Sequence, residues 1–199
     1  MIKYLTVVTG DMYCENCYIV YNDNNDGIII DPGDDFEVID NVLIDNNVSL
    51  KAILLTHGHF DHVGAVKQLK DKYNLKVYMN FDDIMLLSFM RESDFAPDVD
   101  IKNIEDLEIS DIKIKCINTA GHSEGSTCYI IDNFLFSGDT LFAGNIGRCD
   151  LPGGSPAVML KTLSEIVVNF DDNLMVLSGH GEESTMRKEK TINYYLKNL

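Results

Sequence analysis

The stretch THGHFDHVGA, from Thr56 to Ala65, holds three of the five histidines in the chain together with an aspartate. Imidazole nitrogen and carboxylate oxygen are the donors that divalent transition metals take. His57, His59, Asp61 and His62 therefore point to metal binding. Any one histidine in a turn is ordinarily a solvated polar group, but the others stand in similar company. His122 in TAGHSEGS and His180 in LSGHGEES each follow directly on a strand-like segment, and so does Asp139 in FLFSGDT. All these donors fall in turns that leave strands, as expected of a site assembled from distant segments. His57 and His59, two apart on an extended segment, can point the same way, whereas Asp61 and His62 lie past the bend, on the start of a helix. That separation predicts two adjacent metal sites, unlike the HExxH spacing, whose ligands share one helical face and bind one ion.

Hydrophobic periodicity outlines the elements that must carry these residues. IKYLTVV, CYIVY and GIIID read as three strands, the last closed by the turn chemistry of DPGDD. A helical pattern follows from about Phe36 to Asn46. KAILLT is apolar enough to be a buried strand and ends where the histidines begin. In HVGAVKQLKDKY the residues Val63, Val66 and Leu69 have helical spacing. The histidine cluster is thus a strand-to-helix turn, where α/β sheets place their chemistry. Beyond the strand KVYM and a helical stretch around DDIMLLSFMRE, the chain to about Glu108 is polar and irregular and reads as a flap. Strands IKIKCIN, STCYIID and FLF follow, then a helix from about Pro156 to Val168, the strand LMVL, and a last helix from Glu183 to Leu196. No repeat of fixed period is present, although two runs of strands followed by helices hint at a duplicated layout. The pattern predicts two sheets packed face to face with helices outside.

Composition sets the outer bounds. With 199 residues, 45% hydrophobic and 24% charged, the chain is expected to form one domain over residues 1–199. A formal net charge of -16 argues against nucleic acid and anionic membranes as partners, because such binders need a basic footprint. A small-molecule substrate is the expectation, with oligomeric state open. The first residues lack the apolar run of a signal peptide, and no segment reaches membrane-spanning length, so a cytoplasmic location is expected. The five cysteines are an odd number and fit reduced thiols. Cys14 and Cys17 have metal-ligand spacing, but no second pair completes a zinc site, and they read as strand-edge residues.

Taken together, HGHFDH, AGHSEGS, FSGDTLFAGNIGRCDLPGG and LSGHG resemble the metallo-β-lactamase superfamily. Within it they look most like the short glyoxalase II-like, or hydroxyacylglutathione hydrolase-like, proteins. The resemblance covers essentially the full chain, and its first motif is highly specific. It implies an αββα sandwich of two mixed β-sheets with helices on the outer faces. It implies one metal held by His57, His59 and His122, a second by Asp61, His62 and His180, and Asp139 as the bridge. Two divalent ions per chain are expected, zinc foremost, with iron and manganese as alternatives. The implied reaction is hydrolysis of a small thioester of the S-lactoylglutathione type by a water activated between the ions, with Asp61 and Asp139 as catalytic residues.

Full-length hydroxyacylglutathione hydrolases carry a further helical domain after the last metal histidine, supplying much of the glutathione-binding surface. No such C-terminal helical domain is expected here. The GRCDLPGG stretch instead resembles the short glyoxalase II-like and persulfide dioxygenase branches. Arg148 is a candidate for holding a substrate carboxylate, since its planar fork suits that group; pairing with Asp150 is the alternative. Asn145 and Tyr13 are candidates for the cleft wall. Three other functions stay open. One is a persulfide dioxygenase with a single iron at His57, His122 and Asp139. Another is a lactone, β-lactam or other ester hydrolase. A non-catalytic metal-binding module is the third, disfavoured because all seven ligands are present.

Overall fold

The structure is a computed structural model that describes residues 1–89 and 95–199. The first half of the chain builds one six-stranded sheet in sequential order: β1 (Lys3–Thr9), β2 (Glu15–Tyr21), β3 (Asp26–Ile30), β4 (Ser49–Leu54), β5 (Lys76–Met79) and β6 (Val99–Asp100). The first three strands form an antiparallel meander, and β3 to β6 run parallel. Helices α1 (Phe36–Asp45) and α2 (Val66–Tyr73) make the parallel crossovers, and a single turn, α3 (Leu86–Phe89), precedes β6.

The second sheet repeats the plan. Strands β7 (Asp106–Ile109), β8 (Ile112–Asn118), β9 (Thr127–Ile131) and β10 (Phe134–Gly138) are antiparallel neighbours. Helix α4 (Pro156–Glu165) then crosses to β11 (Met175–Ser178), parallel to β10, and β12 (Ser184–Thr185) and α5 (Met186–Ile192) close the chain. Each sheet is therefore a meander followed by a helical crossover, in keeping with the duplicated layout.

Alternation along the strands explains the layers. Ile28 and Ile30 of β3 face the second sheet and pack with Tyr18, Leu54, Tyr129 and Phe136. Ile29 points the other way, into a cluster with Ile53, Val77, Ile39 of α1 and Leu69 of α2. On the far side, Leu135 and Val176 meet Met159 and Leu163 of α4 and Met186 of α5. The result is the expected αββα arrangement of two mixed sheets. Among the described residues no helix is long and apolar enough to cross a membrane.

Several expectations need correction. The segment read as an irregular flap contains β6 and β7, which add an edge strand to each sheet. Strands this short carry too little alternation to be recognised before their partners are known. The part of the flap and of the preceding helical stretch on residues 90–94 lies outside the described residues. The last helix starts three residues late, because Ser184 and Thr185 pair with β11 and the Thr185 hydroxyl then accepts the Lys188 N–H as the helix cap. It also ends at Ile192. Asp61 and His62 sit on a separate 3-10 turn, Phe60–His62, and α2 begins only at Val66.

Hydrogen bonds bind the sheets together at the edge where the histidine turns emerge. The Tyr129 hydroxyl donates to the Leu55 carbonyl (2.6 Å), and the Tyr18 hydroxyl donates to that of Ser178 (2.7 Å). The Thr127 and Asn16 amides donate to Thr56 and Gly179 carbonyls, each at 2.8 Å. Replacing Tyr129 by Phe removes a fully buried donor and is expected to destabilise the protein by about 1–2 kcal/mol. Urea unfolding would show this as a lower midpoint with an unchanged slope.

Candidate metal centre

Every histidine and both aspartates singled out from the sequence lie on this edge. His57 and His59 leave β4, Asp61 and His62 ride on the 3-10 turn beyond, His122 follows β8, Asp139 follows β10, and His180 follows β11. Among the described residues three groups of donors come within ligand distance of one another: His57, His59 and His122; Asp61, His62 and His180; and Asp31 with His57 and His62. In the first, His122 Nε2 is 3.3 Å from His57 Nε2 and 2.8 Å from His59 Nδ1. In the second, His180 Nε2 is 3.3 Å from His62 Nε2 and 3.5 Å from Asp61 Oδ2. Asp139 spans these first two groups, with Oδ2 at 3.5 Å from His122 Nε2 and Oδ1 at 3.5 Å from His62 Nε2 and 3.7 Å from His180 Nε2.

What turns the rings inward is a set of oxygen acceptors behind them. His122 Nδ1–H donates to the Arg148 carbonyl at 2.7 Å, and His180 Nδ1–H to the Tyr13 carbonyl at 3.0 Å. His62 Nδ1–H donates to Asp31 Oδ2 at 3.0 Å. Asp31 also accepts the Thr56 hydroxyl at 2.5 Å, so that oxygen has its own proton committed and must accept from His57 Nδ1, 3.0 Å away. One carboxylate thereby sets the orientation of two histidines, and four of the five rings turn Nε2 toward the centre. Gly179 permits the approach, since a Cβ there would lie 2.5 Å from Asp139 Oδ1.

Asp31 was not among the site residues read from the sequence, where IIIDPG looked like strand-ending turn chemistry. The signal that could have found it is a single aspartate in an otherwise apolar strand end. Arg148 is placed differently from the expectation. Its guanidinium is exposed and bidentate with Asp150 at 2.7 and 2.8 Å, and its backbone carbonyl is the group that touches the centre. Asn145 is exposed, and its backbone holds the loop through a bridge to Phe142 and through its carbonyl, which accepts from Asn193. Tyr13 lines a 440 Å³ cleft beside Asp61, edge to face with Phe60 at 5.0 Å, together with Met12 and the acidic Asp11, Asp34 and Asp35. Cys14 is exposed, whereas Cys17 is buried in the core, so the two do not form a ligand pair; all five cysteines are free thiols.

Electrostatics match a cation. Burial, reinforced by the neighbouring imidazoles, pushes His57 far down and His59 to about 4, leaving both neutral with lone pairs to give. Burial also works against a charged His62, yet Asp139, Asp31 and Glu15 outweigh it and raise that ring to about 10. For Asp61 burial is outweighed by the His180 hydrogen bond and the His62 charge, and the carboxyl stays below its usual range. Asp139 Oδ1 is buried without any hydrogen-bond partner. Convergent bare nitrogens and an unpartnered carboxylate oxygen fit a divalent metal better than any arrangement of protons, and a donor set of nitrogen and oxygen alone suits zinc, iron or manganese.

This geometry is that of a known group: the chain belongs to the metallo-beta-lactamase superfamily, whose family model matches residues 15–180. It thus falls among metal-dependent hydrolases. The protein named hydroxyacylglutathione hydrolase GloC of Haemophilus influenzae is 28% identical over 96% of this chain and 97% of its own length. Among solved structures, the BLEG-1 B3 metallo-beta-lactamase superposes with a TM-score of 0.92 at 31% identity, covering 98% of this chain and 99% of that one. TTHA1623 in a di-iron-bound form superposes with a TM-score of 0.83 at 30% identity, covering 96% and 100%.

Two outcomes follow for metal binding. Asn tolerates the positive φ of 50° at Asp31 but cannot accept from the Thr56 N–H, the Thr56 hydroxyl and His62 together. Asp31→Asn should therefore fold and bind metal about 10–100-fold more weakly, as measured by competition with a chromophoric chelator. Because His62 holds its proton up to about pH 10 in the metal-free centre, an ion at Nε2 must expel that proton near neutrality. Affinity should then rise by about tenfold per pH unit between pH 6 and 9. Calorimetric titration in buffers of different ionisation enthalpy would register the released proton.

Proposed function

We propose that the protein is a dinuclear metal-dependent hydrolase acting on a small thioester of the S-lactoylglutathione type. The observation that carries the dinuclear reading is Asp139, whose two oxygens divide between the two donor groups and of which Oδ1 has no other partner. His57, His59 and His122 would hold one ion, and Asp61, His62 and His180 the other. When bound, such ions supply Lewis acidity toward a carbonyl oxygen and bring the pKa of water toward neutrality.

The chain's own groups do the rest. The outer hydrogen bonds keep the imidazole rings from turning, so the centre needs no rearrangement during reaction. Asp61, kept ionised beside His180, is placed to accept a proton from an attacking water. Tyr13 and Phe60 form an aromatic wall next to Asp61 against which an acyl or thiol moiety can lie. A departing thiolate needs little help from an acid, so thioester cleavage makes no demand for a dedicated proton donor. The relative named hydroxyacylglutathione hydrolase supports the thioester substrate.

The likeness to a B3 metallo-beta-lactamase favours a second reading, hydrolysis of a β-lactam or lactone by the same centre. Metal analysis of protein purified without chelator, paired with rates on S-lactoylglutathione, a β-lactam, a lactone panel and glutathione persulfide with oxygen uptake, separates the possibilities. Two ions per chain with preferential thioester turnover are expected. Preferential lactam or lactone turnover would replace the thioester, and one iron per chain with oxygen uptake would replace the hydrolase by a dioxygenase. Asp139→Ala is expected to lower turnover by at least 100-fold and to lose bound metal; retention of both would remove the role assigned to Asp139.

A further inference from the structure

Outside the ligand set, one buried carboxylate touches both halves of the three-histidine group without contacting any ring. Asp83 ends the 3-10 turn Phe81–Asp83 that follows β5, and it is 1% exposed. Its Oδ2 accepts the backbone N–H of Gly58 at 3.1 Å and the hydroxyl of Ser123 at 2.6 Å, while Oδ1 accepts the N–H of Gly125 at 2.6 Å. Gly58 lies between His57 and His59, and Ser123 follows His122. A single side chain from the first sheet thus ties the turn carrying two of the donors to the turn carrying the third, on the opposite sheet.

The surroundings are shaped for that carboxylate. A Cβ on Gly58 would stand 2.8 Å from the Asp83 carbonyl oxygen, and one on Gly125 would stand 2.7 Å from its Cγ. Both contacts are too close for a side chain, so the two glycines leave room for the carboxylate to reach both amides. Ser123 is steadied in turn by Ser126, whose Oγ is 2.7 Å from its hydroxyl and accepts its N–H at 3.0 Å. An interior carboxylate is costly unless its oxygens are satisfied. Here three donors meet it, and every one belongs to a turn that bears or adjoins a metal-site histidine.

We propose that Asp83 is a positioning residue that fixes the spacing of His57, His59 and His122, and hence the affinity of that group for its ion. The proposal rests on the two-ion reading above, and it assigns Asp83 no contact with substrate or metal. Without the carboxylate, the Gly58 and Ser123 turns are held together only by the cross-sheet bonds at Thr56 and Leu55, so the distance from His122 to His57 and His59 is less closely set. The Asp61, His62 and His180 group has no bond to Asp83 and keeps its geometry.

Cobalt(II) titration of metal-stripped protein, followed by visible absorption, tests this. Native protein should take up two ions in resolvable steps. In Asp83→Asn, whose amide cannot accept from both Gly58 and Gly125, one step should weaken about 10–100-fold while the other stays within about twofold, and thermal unfolding should remain cooperative. Unchanged steps, or equal weakening of both, would overturn the proposal, since a merely structural role would not select one site. Should Asp83→Asn fail to fold, Ser123→Ala removes a single one of the contacts and decides by the same selectivity, with a loss of about threefold or more expected. Native protein that binds only one ion would overturn the two-ion reading instead. Asp83 would then be judged on whether that ion's affinity falls in Asp83→Asn.

Discussion

The hydrogen bonds that join the two sheets at one edge are what the rest of the molecule depends on. The first sheet contributes His57, His59, Asp61 and His62, and the second contributes His122, Asp139 and His180. Neither sheet holds the whole of either group that Asp139 spans. A slip of either sheet along the other would separate His122 from His57 and His59, or His180 from His62. Tyr129 to Leu55, Tyr18 to Ser178 and Thr127 to Thr56 span the sandwich within two residues of the ligand turns. The apolar layer between the sheets supplies cohesion but little registration, because the hydrophobic effect has no direction. Directional bonds between buried groups provide it.

A second constraint is electrostatic. Bare imidazole nitrogens and carboxylates are crowded into a space from which water is largely excluded, and neither group tolerates that without a partner. Asp31, Asp139 and Glu15 surround His62 so closely that its ring keeps a proton against its burial. The same excess of negative charge is what a divalent ion neutralises. Asp31 serves both ends of this arrangement. It fixes His62 directly and His57 through the Thr56 hydroxyl, so the carboxylate that adds negative charge to the centre also aims two of its ligands.

Much of this was legible in the sequence. The apolar run KAILLT was sufficient to foresee a buried strand, and the order of strands and helices pointed to two sheets face to face with helices outside. The elements that were missed, β6, β7 and β12, are edge strands of two to four residues whose identity lies in their partners. At the site, donor type and placement after strands singled out the seven residues that the fold brings to one edge. Asp31 and Asp83 escaped notice for a physical reason. Aspartate before Pro-Gly and a pair of aspartates before an apolar run are ordinary turn and helix-start chemistry, and nothing local distinguishes a carboxylate that faces solvent from one that turns inward to buried amides. Arg148 shows the converse: the side chain drew attention, and the backbone carbonyl does the contacting.

By itself the sequence determined which donors exist and that they sit in turns leaving buried strands. These are properties of residue type and short-range spacing, where the chain's periodicity is the controlling physics. The grouping of the donors and the place of Asp139 between them followed only from the family resemblance, and the tertiary structure alone decided that Asp31 and Asp83 stand behind them. Those relations join residues tens to more than a hundred positions apart, and they are set by the packing of one sheet on the other, which no local pattern encodes.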